Sequence, residues 1–179
     1  MAKILGLVGE KLAGKDEAAK YLVAKHGAFH IKFSHLLDEI LGILHMPKTR
    51  RNEIDLGLGL RGVFGSEVLY HALKKRVLSS SAPLIVINGI RMDEFDKVVS
   101  DLGAKTVYIT APLDLRFERY QKRHEKVDDG KLGFEEFARQ DREEETEKGI
   151  PLLGSRADFK IENTGDLEAL HEQVEKIIT

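Results

Sequence analysis

Residues 3–22, KILGLVGEKLAGKDEAAKYL, constrain the fold of this chain more than any other stretch. The apolar run Ile4, Leu5, Leu7, Val8 reads as a strand. It leads into Gly9-Glu-Lys-Leu-Ala-Gly14-Lys15 and then into a helix-period segment of Ala, Leu and Tyr. Strand, glycine loop and helix form the context in which a G-x-x-x-x-G-K string cradles phosphate. Glycines let successive backbone N–H groups turn towards one anion, a helix N-terminus faces the same point, and the lysine ammonium reaches the outer phosphates. Gly9, Lys11, Leu12, Ala13, Gly14, Lys15, Asp16 and Glu17 are therefore the candidate nucleotide-binding positions. Asp16 stands where the pattern has Ser or Thr, whose hydroxyl ligates magnesium.

The rest of the chain alternates strands and helices. Strands are expected at residues 28–33, 84–88, 105–110 and 158–162. Helices are expected at 34–45 with Ser34 as N-cap, in a short glycine-punctuated stretch near 56–62, and at 66–78, 93–102, 113–126, 134–148 and 166–178, the last with Asp166 as N-cap. Gly149-Ile-Pro151 reads as the stop of the 134–148 helix. Five strands alternating with helices predict a parallel three-layer α/β sheet, with ligands at the C-terminal edge of the strands. The loop, Phe33-Ser34, Asn88-Gly-Ile-Arg91, Ala111 and Asn163 would converge there.

At 179 residues the chain suits one domain. Its net charge of −2, with both signs interspersed, gives no bulk electrostatic case for nucleic acid or an anionic membrane as partner. The apolar runs are far shorter than the roughly 20 residues of a spanning helix, and residues 1–9 lack a signal-peptide core, so a cytoplasmic protein is expected. The absence of cysteine excludes disulfides and thiolate metal sites.

Arginines form a second constellation. Arg116, Arg119 and Arg123 share one face of a predicted helix, and Arg139 and Arg142 lie one turn apart on the next. Such cations can clamp a transferring phosphoryl group, or can pair with the neighbouring carboxylates as a solvated face. Arg50, Arg51, Arg61 and Arg91 are candidates for binding the phosphate of an acceptor. Histidines 26, 30, 35, 45, 71, 124 and 171 show no ligand spacing on one helix.

With the loop, Phe33-Ser34, Val86-Ile-Asn-Gly-Ile-Arg91, Ile150-Pro-Leu-Leu and Ala157-Asp-Phe-Lys-Ile-Glu-Asn163 placed, the chain resembles the nucleoside monophosphate kinase group of P-loop proteins nearly end to end. Its nearest likeness is to dephospho-CoA kinase-like and phage deoxynucleoside monophosphate kinase-like proteins. The resemblance implies a P-loop NTPase fold with a five-stranded parallel sheet in the order 2-3-1-4-5, an acceptor-binding insertion at about 34–78 and a helical lid at about 113–148. It implies ATP, Mg²⁺ and transfer of the γ-phosphoryl to a small phosphorylated acceptor, in a monomer or homodimer. Carried over by position, Lys15, Arg119 and Arg123 are catalytic, Asn163 and Thr164 lie beside the adenine, and Phe33, Ser34, Arg50, Arg51, Arg61 and Arg91 face the acceptor.

Four positions depart from that pattern. Asp16 replaces Ser or Thr, Asn88 replaces a frequent Asp in strand three, and His35 and Asp38 stand where relatives carry Asp and then Arg. Two readings fit. Either the magnesium-side carboxylate has moved from strand three to Asp16 and phosphoryl transfer survives, or Asp16 repels the triphosphate and the chain is a degenerate ATP-binding regulatory protein. A GTPase switch lacks its Asn-Lys-x-Asp motif, and a motor or AAA-type ATPase lacks room for a second domain.

Overall fold

The structure, a computed structural model, describes residues 2–90, 92–123 and 130–178. The elements run β1 (Lys3–Val8), α1 (Lys15–His26), β2 (Phe29–Lys32), α2 (Phe33–Ile43), α3 (Arg50–Phe64), α4 (Val68–Leu78) and β3 (Leu84–Asn88). They continue α5 (Met92–Leu102), β4 (Lys105–Thr110), α6 (Leu113–Lys122), α7 (Phe134–Glu143), α8 (Glu145–Lys148), α9 (Ile150–Arg156), β5 (Phe159–Glu162) and α10 (Leu167–Ile178). The five strands form one parallel sheet in the expected order 2-3-1-4-5.

Alternation within the apolar strands builds a core on each face of the sheet. Leu5, Leu7, Leu84, Val86 and Ile161 face α1 and α10, packing with Ala18, Ala19, Leu22, Leu170 and Val174. Val8, Ile31, Ile85 and Ile87 face the other way, onto Leu36, Leu37, Leu73, Phe95, Val98 and Leu153. All strands being parallel, their C-terminal ends meet at one edge, and β1 sits between β3 and β4 where the strand order reverses. That edge is where an open α/β sheet leaves a crevice.

Local chemistry explains the boundaries. α1 stops at Gly27, which takes φ +62° while Ala28 N–H reaches back to the Leu22 carbonyl. Thr49 caps α3 by accepting the Asn52 N–H at 3.2 Å, and Asp166 caps α10 by accepting the Ala169 N–H at 2.9 Å. Several expectations are corrected. Ser34 is not an N-cap but lies in the first turn of α2. That helix is capped at Lys32, whose N–H meets His35 Nδ1 at 3.4 Å, and Phe33 has left the strand. The short helix near 56–62 is fifteen residues long. The 134–148 helix breaks at Glu144, where ψ is 131°, and Pro151 opens α9 instead of stopping a helix. The expected 113–126 helix ends at Lys122, where Arg123 is extended with ψ 142° and so leaves the helix face expected for it; residues 124–126 lie outside the described residues.

Asp158 ties the start of β5 to β4. Its carboxylate accepts Lys105 Nζ, Thr106 N–H and Thr106 Oγ1, each at 2.8 Å. Those bonds, the Lys105 one foremost, hold its carboxyl at about 2, below the ordinary 3.8. A lowered folded pKa stabilises above the unfolded value and ceases to do so as pH falls through the folded one. The stability gap between the wild type and Asp158→Ala is therefore expected to be full above about pH 4 and to close as pH falls through about 2. Parallel thermal melts across that range measure it; a gap that does not vary with pH would refute the assignment.

Candidate functional site: a phosphate loop with an acidic second residue

The loop between β1 and α1 depends on two glycines. Gly9 has φ +147°, and a Cβ there would lie 1.9 Å from the Ile109 carbonyl oxygen of β4. Gly14 has φ +112°, and a Cβ there would lie 2.2 Å from the Asn163 amide. Leu12 between them takes φ +62°, a left-handed conformation costly for a branched side chain and found where function over-determines the backbone. Lys15 curls back over the loop, donating to the Gly9 carbonyl at 2.8 Å and the Glu10 carbonyl at 2.6 Å.

Neighbouring elements brace the loop. The Asn163 amide, 4% exposed, donates to the Ala13 carbonyl at 2.8 Å. Arg119 donates to the Asn163 carbonyl at 3.1 Å and the Leu12 carbonyl at 3.3 Å. Arg116 is buried and makes a bidentate pair with Asp141 at 2.6 and 2.7 Å while also reaching the carbonyls of Ala111 and Lys11. It locks α6, α7 and the loop together and is not turned towards a ligand. Lys11 lies over the Phe137 ring, 4.3 Å from its centroid. Desolvation first, then Arg50, holds its ammonium below the ordinary lysine value. Thr164 is exposed, its N–H donating to Glu162, and Glu17 is paired with exposed Lys20.

Asp16 is the centre of the site's electrostatics. Its Oδ1 accepts the Asn88 amide N–H at 2.6 Å and lies 2.8 Å from Lys32 Nζ. Desolvation pushes the carboxyl upward, but the cations of Lys32, Lys15 and Arg123 outweigh it and hold it below the usual carboxylate range. The two departures at Asp16 and Asn88 are thus in direct contact. Left unscreened, the Asp16 charge would act on a phosphate ~4 Å away with about 4 kcal/mol at an effective dielectric of 20.

Magnesium seeks oxygen ligands and is held by one or two carboxylates plus phosphate oxygens and water. Asp16 supplies one such carboxylate, about a third exposed at 37%. Among the described residues no three Asp, Glu or His side chains gather to hold a metal by themselves. The donor set therefore fits a metal that arrives with a nucleotide.

Each described arginine expected to bind an acceptor has a carboxylate partner. Arg50 pairs with Glu144 and Glu147 at the α7–α8 junction, Arg51 with Asp55 at 2.7 Å, and Arg61 with Glu94 at 2.5 Å. Arg91 lies outside the described residues. Arg139 pairs with Glu136 and Glu143 on an exposed face, and Arg142 is exposed. Phe33 is buried and Ser34 half-buried at the start of α2. Sequence reasoning missed Lys32, the neutral His30 whose pKa desolvation lowers to about 4, and Glu10, which accepts the Tyr108 hydroxyl. The alternation of His30 and Lys32 along β2 marks both as sharing one face. Tyr108 is in turn covered by α9, where Gly154 leaves room for its ring.

No family model matches the chain. It is similar to a UPF0200/UPF0201 protein of Archaeoglobus fulgidus, with 29% identity over 98% of this chain, and it spans 55% of that relative's length. UPF0200 proteins of Saccharolobus solfataricus and Methanosarcina barkeri are 28% and 25% identical, covering 98% and 99% of this chain and 92% and 95% of theirs. Among solved structures, TT1252 from Thermus thermophilus superimposes with a TM-score of 0.66 at 23% identity, covering 99% of this chain and 96% of that one. Shikimate kinase from Bacteroides thetaiotaomicron gives 0.65 at 17% identity, covering 98% and 96%. No helix among the described residues is long and apolar enough to cross a membrane. What these likenesses establish is the architecture: the chain has the P-loop kinase-like α/β fold.

Proposed function

We propose that the chain transfers the γ-phosphoryl group of ATP to a small phosphorylated acceptor, a nucleoside monophosphate or a chemically related molecule, as a cytoplasmic enzyme. The observation that carries this reading is the loop itself. Two positive-φ glycines, a helix N-terminus and Lys15 converge on one point at the strand edge.

In this reading ATP phosphates replace the carbonyls that Lys15 now contacts, so its ammonium neutralises β and γ oxygens. Asn163, with Thr164 beside it, sets the depth of the nucleotide site by bracing Ala13. Magnesium, when bound, would supply charge neutralisation to the phosphates, and Asp16 is the side chain that would hold it, directly or through water. Arg119, anchored on loop carbonyls, and Arg123, close enough to bias Asp16, stabilise charge on the transferring group. The α6–α8 segment is the lid and 34–78 the acceptor-binding insertion, with Phe33, Ser34, Arg50, Arg51, Arg61 and Arg91 on the acceptor side.

A second reading, ATP binding without transfer, draws on the pairing of Arg50, Arg51 and Arg61 with carboxylates of their own chain. One experiment separates the two. ADP release is followed with Mg²⁺-ATP and a panel of nucleoside monophosphates, dephospho-CoA and small phosphorylated alcohols, and ATP binding is measured in parallel. Acceptor-dependent ADP formation is expected. ATP binding without turnover on any acceptor would overturn transfer in favour of the binding reading.

A further inference from the structure

Asp16 takes its cation from outside the loop. Lys32 ends β2 and stands beside Asn88 in the β2–β3 register, so the strand pairing presents both side chains to the N-terminus of α1. Lys32 is only 17% exposed, and an ammonium so withdrawn from water requires an anionic partner. Asp16 Oδ1 provides it at 2.8 Å and accepts Asn88 as well. The imidazoles that also face Lys32 do not supply the charge. Burial keeps His30 neutral, and His35, likewise lowered first by desolvation, accepts the Lys32 backbone N–H at Nδ1.

Two cations cannot both crowd one carboxylate oxygen without repelling each other. A magnesium ion on either oxygen of Asp16 would lie close enough to the Lys32 ammonium to repel it, so the two would compete for one negative charge.

We propose that Lys32 is a positioning residue that stands in for the metal. Its ammonium neutralises Asp16 when ATP enters without magnesium, and it releases that carboxylate to the metal when magnesium is present. The released ammonium can then turn to an anionic oxygen of the phosphoryl group or the acceptor. This rests on the reading of the loop as an ATP site. It makes nucleotide binding here less dependent on metal than an acidic residue in the loop would otherwise dictate.

Calorimetric titration with ATP, once with EDTA and once with saturating Mg²⁺, tests it on the wild type, Lys32→Met, Lys32→Arg and Asp16→Asn. The readout is the ratio of metal-free to metal-bound dissociation constants. Lys32→Met removes the cation bonded to Asp16 and leaves Lys15 and Arg123 to offset its charge, so metal-free binding weakens and the ratio rises by about tenfold. Lys32→Arg keeps the cation and a near-wild-type ratio. Asp16→Asn removes the contested carboxylate, and the ratio falls towards one. Thermal melts verify folding, and if Lys32→Met does not fold, the Asp16→Asn ratio decides: an unchanged value overturns the proposal. An unchanged ratio in folded Lys32→Met overturns the role of Lys32 and leaves the loop as an ATP site. A wild type that binds no ATP under either condition overturns the loop reading and this inference with it.

Discussion

Lys15→Ala is expected to weaken ATP binding by about a hundredfold or more, since it removes the charge-assisted contacts of an ammonium to the outer phosphates in a partly desolvated site. Stability should fall as well, on a comparable scale. Lys15 donates to the carbonyls of Gly9 and Glu10, and losing a pair of such bonds costs about 1–3 kcal/mol. Titration with a fluorescent ATP analogue, alongside a thermal melt, separates the two effects. Undiminished affinity in the folded variant would remove the phosphate-cradle assignment.

Gly9→Ala should act through the fold first. The added Cβ would lie 1.9 Å from the Ile109 carbonyl oxygen, a backbone atom inside β4 that cannot swing away, and φ is +147°. Strain and overpacking of this kind cost about 3 kcal/mol or more. For a chain of this size that corresponds to a fall in melting temperature of roughly 6–12 °C. ATP binding should be lost with it, because relieving the clash moves the loop off β4. Gly59→Ala makes the control. It sits within α3, where an added Cβ would meet nothing within 4 Å, so the substitution should be neutral or stabilising by about 0.5–1 kcal/mol through helix propensity. Equal melting temperatures for Gly9→Ala and the wild type would show that the close approach to β4 does not constrain the loop.

The strands and the loop were legible because their signals are local. Leu84–Asn88 is apolar throughout its first four residues and of strand length, and the spacing of Gly9, Gly14 and Lys15 leaves few alternatives. The helices of the insertion were less legible. Gly57, Gly59 and Gly62 lower the intrinsic helix propensity of α3. Packing overrides it, with Leu56 and Leu60 set against the core and Gly57 against Leu37. The break at Glu144 carries no Gly or Pro to announce it, and Arg50, ninety-four residues earlier, is what holds that turn. α9 did have a signal: a proline shortly after a glycine suits the first turn of a helix as well as a stop.

Residue types that can bind phosphate were written in the chain, and so was their order along it. Local backbone preference and hydrophobic period are short-range properties, which is why the phosphate loop, the five strands and the parallel sheet order followed from the sequence and its resemblance. Partnership was decided only by the tertiary structure. Arg116 could have been a phosphate clamp and is instead a buried tie to Asp141; Asp16 could have been a bare repulsive charge and is instead shared by Asn88 and Lys32. Electrostatic contacts depend on distances of a few ångströms between groups far apart in sequence, and strand register and helix packing set those distances.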